Sequence, residues 1–256
     1  MHAVLTILGS GTSMGVPTLG CDCRVCTSTD PRDRRTRPSV SITWDNHCIL
    51  IDTGPDFREQ ALREKIRDID AILYTHSHAD HILGLDDLRP LSFRNRHKIP
   101  LFADELTAST LEKIFDYTFD PDAKYQHRAR LELKRINGDV EVSGTRIRPV
   151  PLMHGEMQVN GFRFGNAAYL TDMNFIPDES MEMLQNLDIL IIDALRHAPH
   201  PSHATLSESV EWAKRLNPRL TYFTHMSHDI LHAETEDNLA DNMRLAYDGL
   251  RIPIEI

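Results

Sequence analysis

Apolar residues in this chain fall into short runs and alternations, the pattern of strands more than of long amphipathic helices. Strands are expected over residues 4–8, 40–44, 48–52, 71–74, 131–135, 139–142, 146–152, 167–172, 187–192, 220–224 and 251–254, with a short one near Leu101. Runs such as Ala71-Ile72-Leu73-Tyr74 show no polar face, as expected of strands buried on both sides. Helical windows fall over residues 57–67, 106–115, 178–184 and 235–247. A further helix opens at Thr205, where Thr205-x-x-Glu208 reads as a capping box, and runs to about Leu216. Residues 119–130 are polar and resist assignment; a surface loop is the preferred reading and a flap over a site the alternative. No internal repeat is evident, although a pseudo-symmetric sandwich would account for two successive runs of strands.

Composition narrows the classes. A chain of 256 residues with 41% hydrophobic content can bury one large core, and we expect a single domain over residues 1–256. No apolar run is long enough to span a bilayer, so no membrane partner is expected. The start, Met1-His2-Ala3-Val4-Leu5, lacks a basic lead and reads as a first strand rather than a signal peptide, which points to a cytoplasmic protein. The formal net charge of −10 disfavours large nucleic acids, which need neutralising Lys and Arg. A basic loop, Arg32 to Pro38, is expected to be solvated, with phosphate steering as a lesser reading.

The chemistry concentrates at Thr75-His76-Ser77-His78-Ala79-Asp80-His81, closed by Gly84. His76 and His78 are two apart, so an extended backbone points both the same way. Asp80 and His81 follow where the chain should turn into a helix. Two imidazoles beside a carboxylate–imidazole pair suit two adjacent divalent metals. Cys21, Cys23 and Cys26 form a second cluster, and thiolates at that spacing can converge on one zinc that needs a fourth donor. Cys48 lies in an apolar strand and reads as core. The Gly9-to-Gly15 loop is either a turn between strands or a lining of the site.

His-x-His-x-Asp-His at a strand end resembles the signature of the metallo-β-lactamase superfamily. The resemblance implies an α/β fold, an αββα sandwich of two mixed β-sheets face to face with helices outside, and a dinuclear hydrolytic centre on one edge. Within it, the chain is most similar to the phosphoribosyl 1,2-cyclic phosphate phosphodiesterase group. The Cys21, Cys23, Cys26 cluster and His225-Met226-Ser227-His228 mark that likeness over nearly the whole chain. It implies His76, His78 and His154 on one metal, Asp80, His81 and His225 on the other, and Asp172 between them. Asp52 would support a ligand histidine from behind. Cys21, Cys23, Cys26 and His228 would hold a structural zinc. Asp80 and His203 would carry catalysis, His203 protonating the leaving oxygen while a metal-bridging hydroxide attacks a small cyclic phosphodiester. The implied cofactors are two divalent ions, manganese or zinc, besides the structural zinc, and the implied assembly is a homodimer. His197 and His200 have no counterpart in this likeness and are expected on the surface.

Three other readings share parts of this pattern. A tRNA 3′-processing endonuclease would share the metal ligands and the His203 region, but needs a Gly- and Pro-rich arm and a basic surface. A non-catalytic protein of quinone-cofactor biosynthesis would share the cysteines but lack a full ligand set. A thioester or lactone hydrolase would share the metal site and have no use for His203.

Overall fold

A computed structural model describes residues 1–95, 97–122 and 124–256. Among the described residues, fourteen strands form two sheets of seven. The first holds β1 (His2–Gly9), β2 (Ser39–Trp44), β3 (His47–Ile51), β4 (Ala71–Leu73), β5 (Ile99–Ala103) and β6 (Leu131–Arg135), in that order, with the last strand, β14 (Arg251–Glu255), beside β1. The second holds β7 (Val140–Val142), β8 (Thr145–His154), β9 (Met157–Phe164), β10 (Ala167–Leu170), β11 (Ile189–Asp193), β12 (Leu220–Thr224) and β13 (Met243–Leu245) in sequential order. Each sheet is antiparallel at one end and parallel at the other, where β3 to β6 and β10 to β13 run side by side.

The side-chain period of two divides each strand between two cores. Ile49, Ile51, Ala71 and Leu73 face Phe162, Tyr169, Ile189 and Ile191 across the sandwich. Their neighbours Leu50, Ile72 and Tyr74 point outward, where Phe57 of α1 (Phe57–Arg63), Ile82 of α2 (Ala79–Ile82) and Leu111 of α4 (Glu105–Ile114) cover them. On the far side Leu170, Leu190 and Ile192 are covered by Leu206 and Ala213 of α7 (Leu206–Leu216). The parallel strands are therefore apolar on both faces, which is why they appear as unbroken apolar runs. The remaining α-helices among the described residues are α3 (Arg89–Arg94), α5 (Asp116–Phe119), α6 (Asp178–Met183) and α8 (His232–Glu236). None of the described helices is long and apolar enough to cross a membrane. The predicted αββα sandwich is what forms.

Local details differ. The helix expected over 57–67 ends at Arg63, with Lys65 just beyond at φ 58°. The helix expected over 235–247 is wrong. A short helix covers His232–Glu236, and Met243–Leu245 is a strand in parallel register with β12. Met243 and Leu245 share one buried face while Arg244 lies off it, a period of two that three residues are too short to reveal. Strand β9 was not anticipated; its Gln158, Asn160 and Arg163 interrupt the apolar pattern. Residues 119–130, apart from Ala123, which lies outside the described residues, include the end of α5 and an irregular segment leading into β6. The capping box at Thr205 is present, with Asn217 closing α7 in a left-handed conformation.

Candidate active site

The chemistry-bearing side chains gather where the parallel strands end, at one edge of the sandwich. Asp52 follows β3, His76 and His78 follow β4, Asp172 follows β10, Asp193 ends β11 and His225 follows β12. His154 ends β8, and Asp80 and His81 lie in α2. Asp52, Asp172 and His225 all hold left-handed backbones, at φ 63°, 54° and 61°. That conformation costs a non-glycine residue on the order of 1 kcal/mol and is tolerated where surrounding contacts enforce it. Gly54 and Gly84 permit the close approach of this loop to α2. A Cβ on Gly54 would lie 1.9 Å from the Asp80 carbonyl oxygen, and one on Gly84 would lie 2.0 Å from that of Gly54.

His76, His78 and His154 bring nitrogen atoms within 4.8 Å of one another, as do the donor atoms of Asp80, His81, Asp172 and His225. Asp172 lies between the groups. Its Oδ1 is 3.1 Å from His225 Nε2 and 4.0 Å from His76 Nε2, and its Oδ2 is 3.2 Å from His81 Nε2. Three imidazoles have Nδ1 tied to an acceptor. His81 donates to Asp52 Oδ2 at 2.7 Å, His76 to Thr75 Oγ1 at 3.0 Å and His154 to the Ser202 carbonyl at 2.8 Å. Thr75 in turn donates to Asp52 from Nα and Oγ1, at 2.9 and 2.8 Å. These bonds turn each Nε2 lone pair into the site, that of His76 lying 2.9 Å from His78 Nδ1, the arrangement that orients metal-binding histidines. Asp80 Oδ2, His81 Nε2 and His225 Nε2 are buried and lack a hydrogen-bond partner. Buried polar atoms rarely go unsatisfied, and a set of convergent ones fits divalent ions.

The electrostatics divide the site. Burial, reinforced by His81, holds His76 well below the usual imidazole range, and burial lowers His154 as well. Burial opposes ionisation of Asp172, but His225 and His81 outweigh it and keep the carboxyl well below its usual range. Burial opposes protonation of His225, but Asp172, with Asp80 and Asp193, lifts it to about 10.

His203 stands beside both groups. Its Nδ1 donates to Asp193 Oδ2 at 2.8 Å, and its Nε2 lies 4.0 Å from Asp172 Oδ1. Its ring stacks on that of His225 with centroids 4.7 Å apart. Asp193 is fully buried and also accepts from the Met173 amide. Asp193 directly follows the strand expected over residues 187–192, and sequence reasoning gave it no role. The available signal was a carboxylate closing an apolar strand, as at Asp52.

Some 200 residues apart in the chain, the cysteines and His228 meet. Cys21, Cys23 and Cys26 Sγ lie 3.2, 3.5 and 3.6 Å from His228 Nδ1. Zinc bonds of about 2.3 Å to sulfur and 2.05 Å to nitrogen at tetrahedral angles give S···N edges of about 3.6 Å. The four donors therefore have the dimensions of a tetrahedral cage. A hydrogen bond from the Cys26 amide helps lower the Cys23 thiol to about 6, while burial lifts Cys26 to about 11. Cys48 sits apart in the core, where burial pushes its thiol up to about 12.

Much of the basic loop is engaged within the fold, although Arg34 is exposed. Arg35 is fully buried, donating to the carbonyls of Ser227 and Ile230 at 2.9 and 2.7 Å and to Asp33 at 2.9 Å. Arg32 pairs with Asp30, and Arg37 with Asp56. The Gly9–Gly15 loop packs on the same segment, through Thr12 N to Met226 O at 3.2 Å and Met226 N to Ser10 O at 3.0 Å. His197 is exposed as expected, whereas His200 is half-buried, its ring 5.1 Å from that of His203.

Comparison with known proteins gives the following. Residues 47–226 match the model of a beta-lactamase superfamily domain. A crystal structure described as a new diphosphatase from the PhnP family is 55% identical, with TM-score 0.94, covering 99% of this chain and 98% of that one. The zinc-bound PqqB structure from Methylobacterium extorquens shares the fold at 18% identity and TM-score 0.78, covering 98% of this chain and 99% of that one. A Porphyromonas gingivalis protein named octanoyltransferase is 37% identical over 254 residues, 97% of this chain and 51% of that protein. The chain thus spans about half the length of that relative, and the matched part of a Methylorubrum populi coenzyme PQQ synthesis protein B is 34% of that protein.

Proposed function

The chain belongs to the metallo-β-lactamase superfamily and is a metal-dependent hydrolase, and from that premise we propose that it cleaves a small phosphodiester, of the phosphoribosyl 1,2-cyclic phosphate type. The observation that carries the reading is the Asp193–His203 pair, set with His203 Nε2 4.0 Å from Asp172. A thioester leaves as a thiolate that needs no proton donor there, whereas a phosphoryl ester leaves as an alkoxide that does. The chain's acidity and the neighbour described as a diphosphatase support a small substrate over an RNA.

His76, His78 and His154 would hold one ion, Asp80, His81 and His225 another, with Asp172 shared. When bound, such ions neutralise phosphoryl charge and lower the pKa of a coordinated water. Asp52 fixes the tautomer of His81 through its Nδ1 proton, and the Ser202 carbonyl does the same for His154. Asp193 accepts the Nδ1 proton of His203, so that Nε2 faces the substrate and, in the imidazolium form, can pass its own proton to the leaving oxygen. Cys21, Cys23, Cys26 and His228 would hold a structural zinc. Manganese or zinc at the centre and a homodimeric assembly belong to the same proposal.

Diphosphate cleavage is a second reading, favoured by the 55% identical structure described as a diphosphatase. The relative named octanoyltransferase adds an acyl thioester to the alternatives. The test is hydrolysis of cyclic and linear phosphodiesters, a dinucleoside diphosphate, an octanoyl thioester and a lactone, each with manganese, zinc and nickel. The expected result is the highest kcat/KM on a phosphodiester or diphosphate. Thioester cleavage without phosphoester cleavage would overturn the proposal.

A further inference from the structure

The loop joining β11 to α7 contains a group that the proposed reaction leaves unused. Between Asp193 and Glu208 the chain carries Arg196, His197, His200 and His203 and no acid, in a protein of net charge −10. His200 stands between Pro199 and Pro201, which restrict its backbone on both sides. The residues that follow are tied to the centre: the Pro201 carbonyl accepts from Asn174 at 3.2 Å, and the Ser202 carbonyl accepts from His154 at 2.8 Å. Gly155 presses on the same place, since a Cβ there would lie 3.2 Å from Ser202 Cβ. Upstream, Arg196 donates to the carbonyls of Ala198 at 3.0 Å and Pro199 at 2.6 Å. His200 is thus held rigidly next to His203, their ring centroids 5.1 Å apart, on the half-exposed side of the site.

The tautomer follows from its partner. The Ser202 amide donates to His200 Nδ1 at 3.3 Å, so Nδ1 accepts and the ring proton of neutral His200 sits on Nε2. We propose that His200 is a substrate-binding residue whose Nε2–H donates to an oxygen of a second phosphate, one group beyond the phosphoryl centre that His203 serves. The preferred substrate class is then a phosphoester that carries another phosphate, as a diphosphate or as a separate phosphomonoester. The inference rests on the phosphoesterase reading above and adds a residue that selects among phosphoesters.

Three substrates separate the possibilities: bis(p-nitrophenyl) phosphate with one phosphoryl group, diadenosine diphosphate, and ribose 1,2-cyclic phosphate bearing a 5-phosphate. His200→Ala in the metal-loaded protein should raise KM roughly tenfold or more on the latter two, the scale of one lost hydrogen bond to a charged group. Their kcat, activity on bis(p-nitrophenyl) phosphate, and metal content should stay within about twofold. His200→Gln, which can return an N–H donor, should recover part of the KM. An equal fall in kcat on all three substrates would make His200 a support of His203 and overturn the proposal, as would loss of metal or no change in KM. If the unaltered protein cleaves none of the three, the phosphoesterase reading fails and this inference falls with it. Cleavage by the unaltered protein without selectivity at His200 sinks only the inference.

Discussion

Replacing Arg35 with Met tests whether the basic loop acts as a strut. Arg35 is fully buried, and its guanidinium satisfies three acceptors, Ser227 O, Ile230 O and Asp33 Oδ1. Two of those acceptors lie in the loop that presents His225 and His228. Asp33 is 2% exposed and retains bonds from Ser28 Oγ at 2.7 Å and His232 N at 2.8 Å, but it would lose the buried cation paired with it. Breaking a buried ion pair from one side costs about 3–5 kcal/mol, because the remaining charge is left without compensation. At a few degrees per kcal/mol for a chain of this size, Tm should fall on the order of 10 °C. Urea unfolding of the metal-loaded protein gives the loss directly, provided the slope is unchanged. Zinc content should fall with it, since the His228 loop is no longer clamped. Arg35→Met with Asp33→Asn should be more stable than Arg35→Met by about 1 kcal/mol or more, because no lone carboxylate remains. A loss below about 1 kcal/mol in the single variant, or a double variant no better than it, would refute the strut.

Asp172→Ala should reduce divalent metal bound at the centre, measured by elemental analysis. His203→Ala should leave that metal in place and lower kcat by roughly a hundredfold or more, the scale of a lost general acid; metal loss in the latter variant would contradict its assigned role. His228→Ala should release the structural zinc and abolish the thiolate-to-cobalt charge-transfer bands of the cobalt-substituted protein, and unchanged bands would exclude His228 as the fourth donor. For pH dependence, burial, then the charges of Arg32 and Arg35, depress His232 to about 4 in the folded chain from an ordinary 6.5. The unfolded chain therefore takes up a proton first as pH falls. Stability present above 6.5 is lost between 6.5 and 4, by up to about 3 kcal/mol. His232→Leu should flatten that limb in urea titrations at successive pH values, and an unaltered slope would show that other groups produce it.

What the sequence determined by itself is mostly local. Buried parallel strands announced themselves as apolar runs because both faces of β4 and β11 meet a core. The cluster from His76 to His81 was legible from its spacing, whereas His154, Asp172 and His225 were reached only through the family resemblance; the Thr205 capping box is a four-residue pattern. The tertiary structure decided the rest. Strands β9 and β13 are specified by their neighbours, since polar residues break one pattern and the other is too short to show a period. The Asp193–His203 bond and the burial of Arg35 against Ser227, 192 residues away, depend on where separate segments come to rest. A local pattern records which face of an element is apolar. It does not record which distant carbonyl or carboxylate will meet a given cation, because that is set only when the two sheets close and fix the loops at their edge.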